Sequence, residues 1–232
     1  MDLKAYYDAR VAQFGPEQHL EQVGHTVNGA PIPRAHLDAL LAQIASLLAL
    51  GSQDSLLDLC CGNGVLTSAL APRVRLVCGA DLSDCMISVA QSAHSAPNLH
   101  YFSMDARNAA HLQDSAEAPF DKVLLYGAWQ HFDAQTGREV LNGLARITAP
   151  QARILLGFVP DLALKDRFLD TPARRAAHAA HVASGTDMMG TWWNRDTLRA
   201  LSEELGFTCS FSDLPADLDA ARYRFNALLC RP

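Results

Sequence analysis

Between Asp54 and Val159 short apolar runs alternate with stretches of helical periodicity, and this rhythm constrains the fold more than any other feature of the chain. Residues 55–59, 74–80, 98–103, 122–126 and 153–159 read as strands. Between them 65–71, 82–93, roughly 106–115 and 134–148 read as helices, the last with Val140, Leu141, Leu144 and Ile147 on one face. Strands that are apolar on both sides and separated by helices belong to a parallel sheet covered on both faces. Right-handed crossovers then make a doubly wound α/β domain.

The flanks extend this plan. Leu37, Leu40, Leu41, Ile44, Leu47 and Leu48 stand at helical spacing between Pro33 and Gly51, which predicts an amphipathic helix over 34–50. Leu3, Tyr7, Val11 and Phe14 suggest a shorter helix ended near Gly15 and Pro16, followed by an irregular segment through Pro33. Beyond Pro160, residues 161–185 hold an alanine-rich helical stretch, and 194–205 a helix with Asn194 as N-cap and Gly206 as C-cap. Residues 207–211 and 223–230 add two strands, expected to form an antiparallel hairpin at the sheet edge. The expected organisation is an N-terminal lid segment (1–33), a ligand-binding core (34–159), a helical lid insertion (160–193), and a C-terminal helix and edge hairpin that complete the core (194–232).

Composition narrows the class. With 232 residues, 49% of them hydrophobic, the chain can bury one large core. A formal charge of -6 weighs against a protein that coats nucleic acid, whose affinity comes from clustered Lys and Arg. The longest apolar stretch, residues 40–50, is broken by Gln43 and Ser46 and falls short of the roughly 18 to 20 residues that span a bilayer. The first ten residues show no basic stretch followed by an apolar run, so the cytoplasm is the expected compartment. The six cysteines are expected as free thiols.

Chemistry concentrates at the ends of four strands. In Leu56-Leu57-Asp58-Leu59-Cys60-Cys61-Gly62-Asn63-Gly64-Val65-Leu66-Thr67 an apolar strand runs into an acid and then a turn of small residues that opens a helix. Glycines there let a ligand approach the backbone N–H groups, although a tight turn with no ligand has the same pattern. Asp81 ends the next strand beside that turn, where an acid can accept both hydroxyls of a ribose or simply cap the helix. Asp105 follows the third strand and Tyr126-Gly127-Ala128-Trp129-Gln130-His131 the fourth. One edge of the sheet thus collects small and polar residues, and it is the edge where open α/β sheets bind ligands.

On these residues the sequence resembles the class I S-adenosylmethionine-dependent methyltransferases, over approximately residues 35–232. The resemblance implies a Rossmann-like doubly wound seven-stranded sheet, mostly parallel with an antiparallel C-terminal hairpin strand, and a helical lid. It implies S-adenosyl-L-methionine as cofactor. Asp58 to Gly64 match the glycine motif, whose turn from Cys60 through Gly62, Asn63 and Gly64 would hold the methionine part; Asp81 would bind the ribose, Asp105 and Ala106 contact the adenine, Tyr126 and Gly127 belong to the post-strand segment, and Leu82 and Met86 would also contact the cofactor. Cys60 stands where the family often has its first glycine, which places a thiol beside the ligand.

Two alternatives share the pattern. Gly62-Asn63-Gly64-Val65-Leu66-Thr67 is one residue from the G-x-G-x-x-G of NAD-dependent Rossmann oxidoreductases. Thr67 in place of the third glycine, Asp58 before the turn and the lack of a separate substrate domain weigh against that reading. A catalytically inert member of the fold, serving as a binding subunit, would be marked by loss of Asp81 or of the glycine turn, and both are present.

Methyl transfer from a sulfonium requires positioning of the acceptor, exclusion of water and an electron-rich surround. Tyr6, Tyr7, Trp129, Phe158, Trp192 and Trp193 are the aromatic candidates for such a pocket, and one of Trp192 and Trp193 is expected to face it. His131 is the expected general base, with His25 a weaker candidate beside the acceptor. His178 and His181 lack a third ligand, so no metal is expected. The expected reaction is in-line methyl transfer to oxygen or nitrogen of a small molecule, a secondary metabolite or sugar-like acceptor. No membrane or nucleic-acid partner is expected, and a homodimer is left open.

Overall fold

The computed structural model describes residues 2–115 and 117–232. Its N-terminal part comprises α1 (Leu3–Gln13), α2 (His19–Gln22), the short ladder β1 (Thr26–Val27) with β2 (Ala30–Pro31), and α3 (Arg34–Leu48). The alternating core follows as β3 (Ser55–Leu59), α4 (Val65–Leu70), β4 (Leu76–Asp81), α5 (Asp84–Ala93), β5 (Leu99–Ser103), β6 (Phe120–Tyr126), α6 (Ala134–Ile147) and β7 (Thr148–Pro160). Helices α7 (Lys165–Phe168), α8 (Pro172–Ser184) and α9 (Arg195–Glu204) precede β8 (Thr208–Asp213) and β9 (Arg224–Cys230).

Seven strands form one sheet in the order β5-β4-β3-β6-β7-β9-β8. The first five run parallel, and β9 is antiparallel to both β7 and β8. The chain winds outward from β3 through β4 to β5, then returns to lay β6 on the other side of β3. That reversal leaves a crevice at the carboxyl ends of β3, β4 and β6, where α/β sheets take ligands.

Burial on both faces explains the apolar strands. Leu57 and Leu59 of β3 face one core with Val140, Leu144 and Leu198, whereas Leu56 faces a second core with the Leu40, Ile44 and Leu48 stripe of α3. Period-two alternation of the strand sends neighbours to opposite sides. Each fully buried leucine contributes roughly 1.5 to 3 kcal/mol.

The structure departs from the sequence reading in two places. Residues 106–114 form a 3₁₀ helix, with Ala106 and Ala109 buried at a spacing of three; α6 lies so close at Gly143 that a Cβ there would meet the Ala110 nitrogen at 3.1 Å. The segment expected to be irregular before Pro33 carries α2 and the β1–β2 ladder. The C-terminal pair forms the expected antiparallel hairpin at the sheet edge, with β9 against β7 and β8 outermost. Among the described residues no helix is long and apolar enough to cross a membrane.

Gly64 caps α4 in the left-handed region at φ 79°, and a Cβ there would lie 2.5 Å from the Tyr101 hydroxyl and 3.0 Å from Ala90 Cβ. Backbone strain and crowding therefore act together. Gly64→Ala is expected to cost about 2 to 3 kcal/mol, seen as a lower urea midpoint.

Candidate active site

The glycine turn is fastened to the next strand. Cys60 and Cys61 both donate their backbone N–H groups to the Ala80 carbonyl, at 2.7 and 3.0 Å. Cys60 adopts φ 65°, the region that favours glycine, so the residue standing in for the family's glycine keeps a glycine-like backbone. Asp81 accepts the Gly62 N–H at Oδ2 and the Ser83 N–H at Oδ1, both at 2.9 Å, joining the turn to the start of α5. Each carboxylate oxygen keeps a second lone pair for a further donor.

Asp58 lies beneath the turn, 2% exposed, and accepts the Thr67 hydroxyl at 2.6 Å. Burial pushes its carboxyl up to about 7. A folded-state value above the unfolded one means stability that is complete at low pH and lost as pH rises through 7. Asp58→Asn keeps an acceptor for Thr67 and removes the buried charge. It is expected to raise unfolding stability by roughly 2 kcal/mol at pH 8, with the gain vanishing near pH 4, as urea titrations at the two pH values will read.

Helix α1 closes over this edge. Asp8 accepts the Ser83 hydroxyl at 2.5 Å, Lys4 reaches Asp84 at 3.0 Å, and Arg10 donates to the Gln22 carbonyl at 2.7 Å. Beneath α1 lies an inner cavity of about 300 Å³, lined by Cys60, Gly62, Asp81, Leu82, Asp105, Ala106, Tyr126 and Gly127 from the strand ends and by Tyr6 and Tyr7 from the helix. An outer cavity of about 870 Å³ lies between the β1–β2 ladder and α8. The two share His25, Phe158, Met188, Met189 and Arg224.

At this edge the comparisons with known proteins converge. Residues 56–151 match the family model for a methyltransferase domain. Over these residues the chain is similar to a methyltransferase domain. An uncharacterized methyltransferase of Schizosaccharomyces pombe is 29% identical over 145 residues, covering 60% of this chain and 51% of that protein. The chain spans about half the length, or less, of the curated relatives it matches. Among solved structures, the methyltransferase in complex with the Trm112 activator of Haloferax volcanii aligns with TM-score 0.69 and 15% identity, covering 100% of this chain and 98% of that one. Magnesium protoporphyrin IX methyltransferase from Synechocystis PCC 6803, solved with bound SAH, aligns with TM-score 0.63 and 16% identity, covering 99% and 98%. At these identities the likeness to the solved structures is one of fold.

Most of the residues singled out in the sequence meet at these two cavities. Tyr7 and His131 share a hydrogen bond, hydroxyl to Nε2 at 3.1 Å, across the inner cavity, its direction set by the imidazole tautomer. Burial, reinforced by the charge of Arg224, pushes His131 down to about 4. Burial raises the Tyr7 hydroxyl well above its ordinary range, so the pair is neutral at physiological pH. His25 is likewise pushed down to about 4 by burial, and it lies against Tyr126 and Phe158. Asp105 is held below the usual carboxylate range by Arg107.

Other expected residues stand elsewhere. Asn63 is buried and donates to the His19 carbonyl at 2.8 Å and to Gln22 Oε1 at 2.9 Å, so it latches α2 to the turn instead of lining either cavity. Gly64 sits under Tyr101, and Met86 is wholly buried on the inner face of α5. Neither Trp192 nor Trp193 lines either of these two cavities. A bridge between Asp161 and Trp193, with the Trp193 N–H on the Pro160 carbonyl at 2.9 Å, turns Trp193 onto Trp129 in the core. Trp192 packs instead against Phe168 and Tyr223. The Cys60 thiol is pushed well up by burial and by Asp81, which makes it a poor nucleophile. His178 lies 3.6 Å from Asp187 and lines the outer cavity.

Sequence reasoning missed Arg224, Met188 and Met189. An arginine opening a strand looks like an ordinary solvated strand end. Only its burial, 6% exposed, distinguishes it.

Proposed function

We propose that the chain is an S-adenosylmethionine-dependent methyltransferase acting on oxygen or nitrogen of a small molecule. The observation that carries this reading is the meeting of two cavities at His25, Phe158 and Arg224, one against the glycine turn and the other beneath α8. The residues of the inner cavity fit the cofactor. Asp81 has free lone pairs for ribose hydroxyls, and Tyr6, Tyr7, Tyr126 and Phe158 supply aromatic walls suited to a sulfonium. Bound there, S-adenosylmethionine supplies an activated methyl group whose carbon bonds to the acceptor as the carbon–sulfur electron pair leaves with sulfur.

The protein's own work is placement, shielding and proton removal. α1 and the Met188-Met189 segment cover the inner cavity and keep water from the transfer. The outer cavity orients the acceptor, and its volume is in the range that suits a small molecule. Neutral His131 takes the proton that a hydroxyl or amine acceptor must lose, with Tyr7 fixing the imidazole. A nicotinamide enzyme fits less well, because the place of the third glycine is filled by Thr67, buried and bonded to Asp58. Incubation with S-adenosylmethionine and a panel of small phenols, acids, amines and sugars is expected to release S-adenosylhomocysteine with one or more of them. Turnover on tRNA or protein, and on none of the small acceptors, would contradict the assignment.

A further inference from the structure

Arg224 is a buried cation without a counter-charge. It is 6% exposed and lines both cavities where they meet. Nη1 donates to the Phe158 carbonyl and to Gln130 Oε1 at 3.3 Å, Nη2 meets the Met189 sulfur at 3.4 Å, and the neutral Tyr223 side chain lies beside the guanidinium. Nε is buried with no partner at all. Every acceptor around the guanidinium is neutral, and among the described residues no carboxylate pairs with it.

The neighbouring arginines make the contrast. Arg222 pairs with Asp170 and Asp219, Arg174 with Asp170, and Arg195 with Asp161. These side chains are more exposed, where a partner matters least, yet they have acids; the most enclosed arginine has none. Removing a charge from water without a paired ion is among the costliest arrangements in a fold. A site of this kind keeps its free energy for a ligand that brings the missing charge.

The surroundings hold the guanidinium in place. Its carbon lies 4.4 Å from the Phe158 ring centroid, a stacked contact. Phe158 itself adopts φ 64°, a conformation that bulky residues rarely occupy, where the β7–β9 register shifts between Leu156 and Val159. Asn226 accepts the Phe158 N–H at 3.1 Å and fixes that bulge. The strained turn aims both the ring and the carbonyl of Phe158 at Arg224. Strain maintained beside a cavity is a mark of a working site.

We propose that the methyl acceptor carries a carboxylate that pairs with the Nε–Nη2 side of Arg224, taking the place of the weakly accepting Met189 sulfur. The proposal rests on the methyltransferase reading and deepens it, by giving the acceptor's chemical class. Guanidinium and carboxylate match in plane and charge, and a thioether is easily displaced by a charged oxygen.

The test uses the full chain saturated with S-adenosylhomocysteine and titrated with matched probes: para-hydroxybenzoate against para-hydroxybenzamide, para-hydroxyphenylacetate against its amide, and phenyl phosphate. The acids are expected to bind at least about tenfold more tightly than their amides, the scale of one charge-assisted hydrogen bond. Arg224→Gln is expected to abolish that preference and Arg224→Lys to keep part of it. Equal binding of acid and amide, a preference for phenyl phosphate, or an intact preference in Arg224→Gln overturns the proposal. The wild-type comparison stands even if a variant fails to fold. Failure of the wild-type chain to bind S-adenosylhomocysteine removes the cofactor reading and the proposal with it, whereas indifference to charge in a chain that binds it removes the proposal alone.

Discussion

Asp81→Ala is expected to weaken S-adenosylhomocysteine binding by at least about tenfold, because hydrogen bonds to a charged acceptor contribute roughly 1.5 to 3 kcal/mol. Three interactions depend on that one carboxylate. Two are already present, from the Gly62 N–H and the Ser83 N–H, and these hold the turn against α5. The third is the pairing with ribose hydroxyls that the cofactor reading requires. Burial raises the Asp81 pKa, so its ionised form is poorly hydrated and gains most from new donors. Calorimetry checks the loss. Unchanged affinity in a folded Asp81→Ala chain would show that the ligand does not reach this strand end.

His131→Ala is expected to reduce kcat by about a hundredfold or more on a hydroxyl or amine acceptor, the usual worth of a positioned base. Tyr7→Phe removes the partner at 3.1 Å and leaves the ring in place, so its effect should be smaller, about tenfold. The pH profile separates a base from a packing residue. His131 must be neutral to take a proton, and its buried value near 4 keeps it neutral throughout the physiological range. The acid limb of kcat/KM is therefore expected near pH 4 and to vanish in His131→Ala. An acid limb near the ordinary histidine value that survives the substitution would assign the titration to another group.

The sheet is legible in the sequence because its strands are buried on both faces and leave uninterrupted apolar runs such as Leu56-Leu57 and Leu124-Leu125. The strand-end acids are legible for a related reason. An acid after an apolar run, beside a glycine turn, has few structural uses, and Asp58, Asp81 and Asp105 all line the inner cavity. Residues whose role depends on long-range contacts are not legible. Trp192 and Trp193 appear as pocket aromatics until the Asp161–Trp193 bridge sets which way they point. Asn63 stands inside the motif, but its amide is spent on α2, forty residues upstream in the chain at His19 and Gln22. Arg224 is hidden by the same logic, since nothing in Arg224-Phe225-Asn226 announces that Phe158 will stack on it across the β7–β9 bulge. Local pattern reports burial and turns; pairing across the sheet requires the fold.

The most direct measurement is a pair of calorimetric titrations of the wild-type chain, one with S-adenosylhomocysteine and one with NAD. Saturable binding of S-adenosylhomocysteine, lost in Asp81→Ala, with no heat from NAD is the predicted result. Binding of NAD with none of S-adenosylhomocysteine would contradict the assignment of the inner cavity.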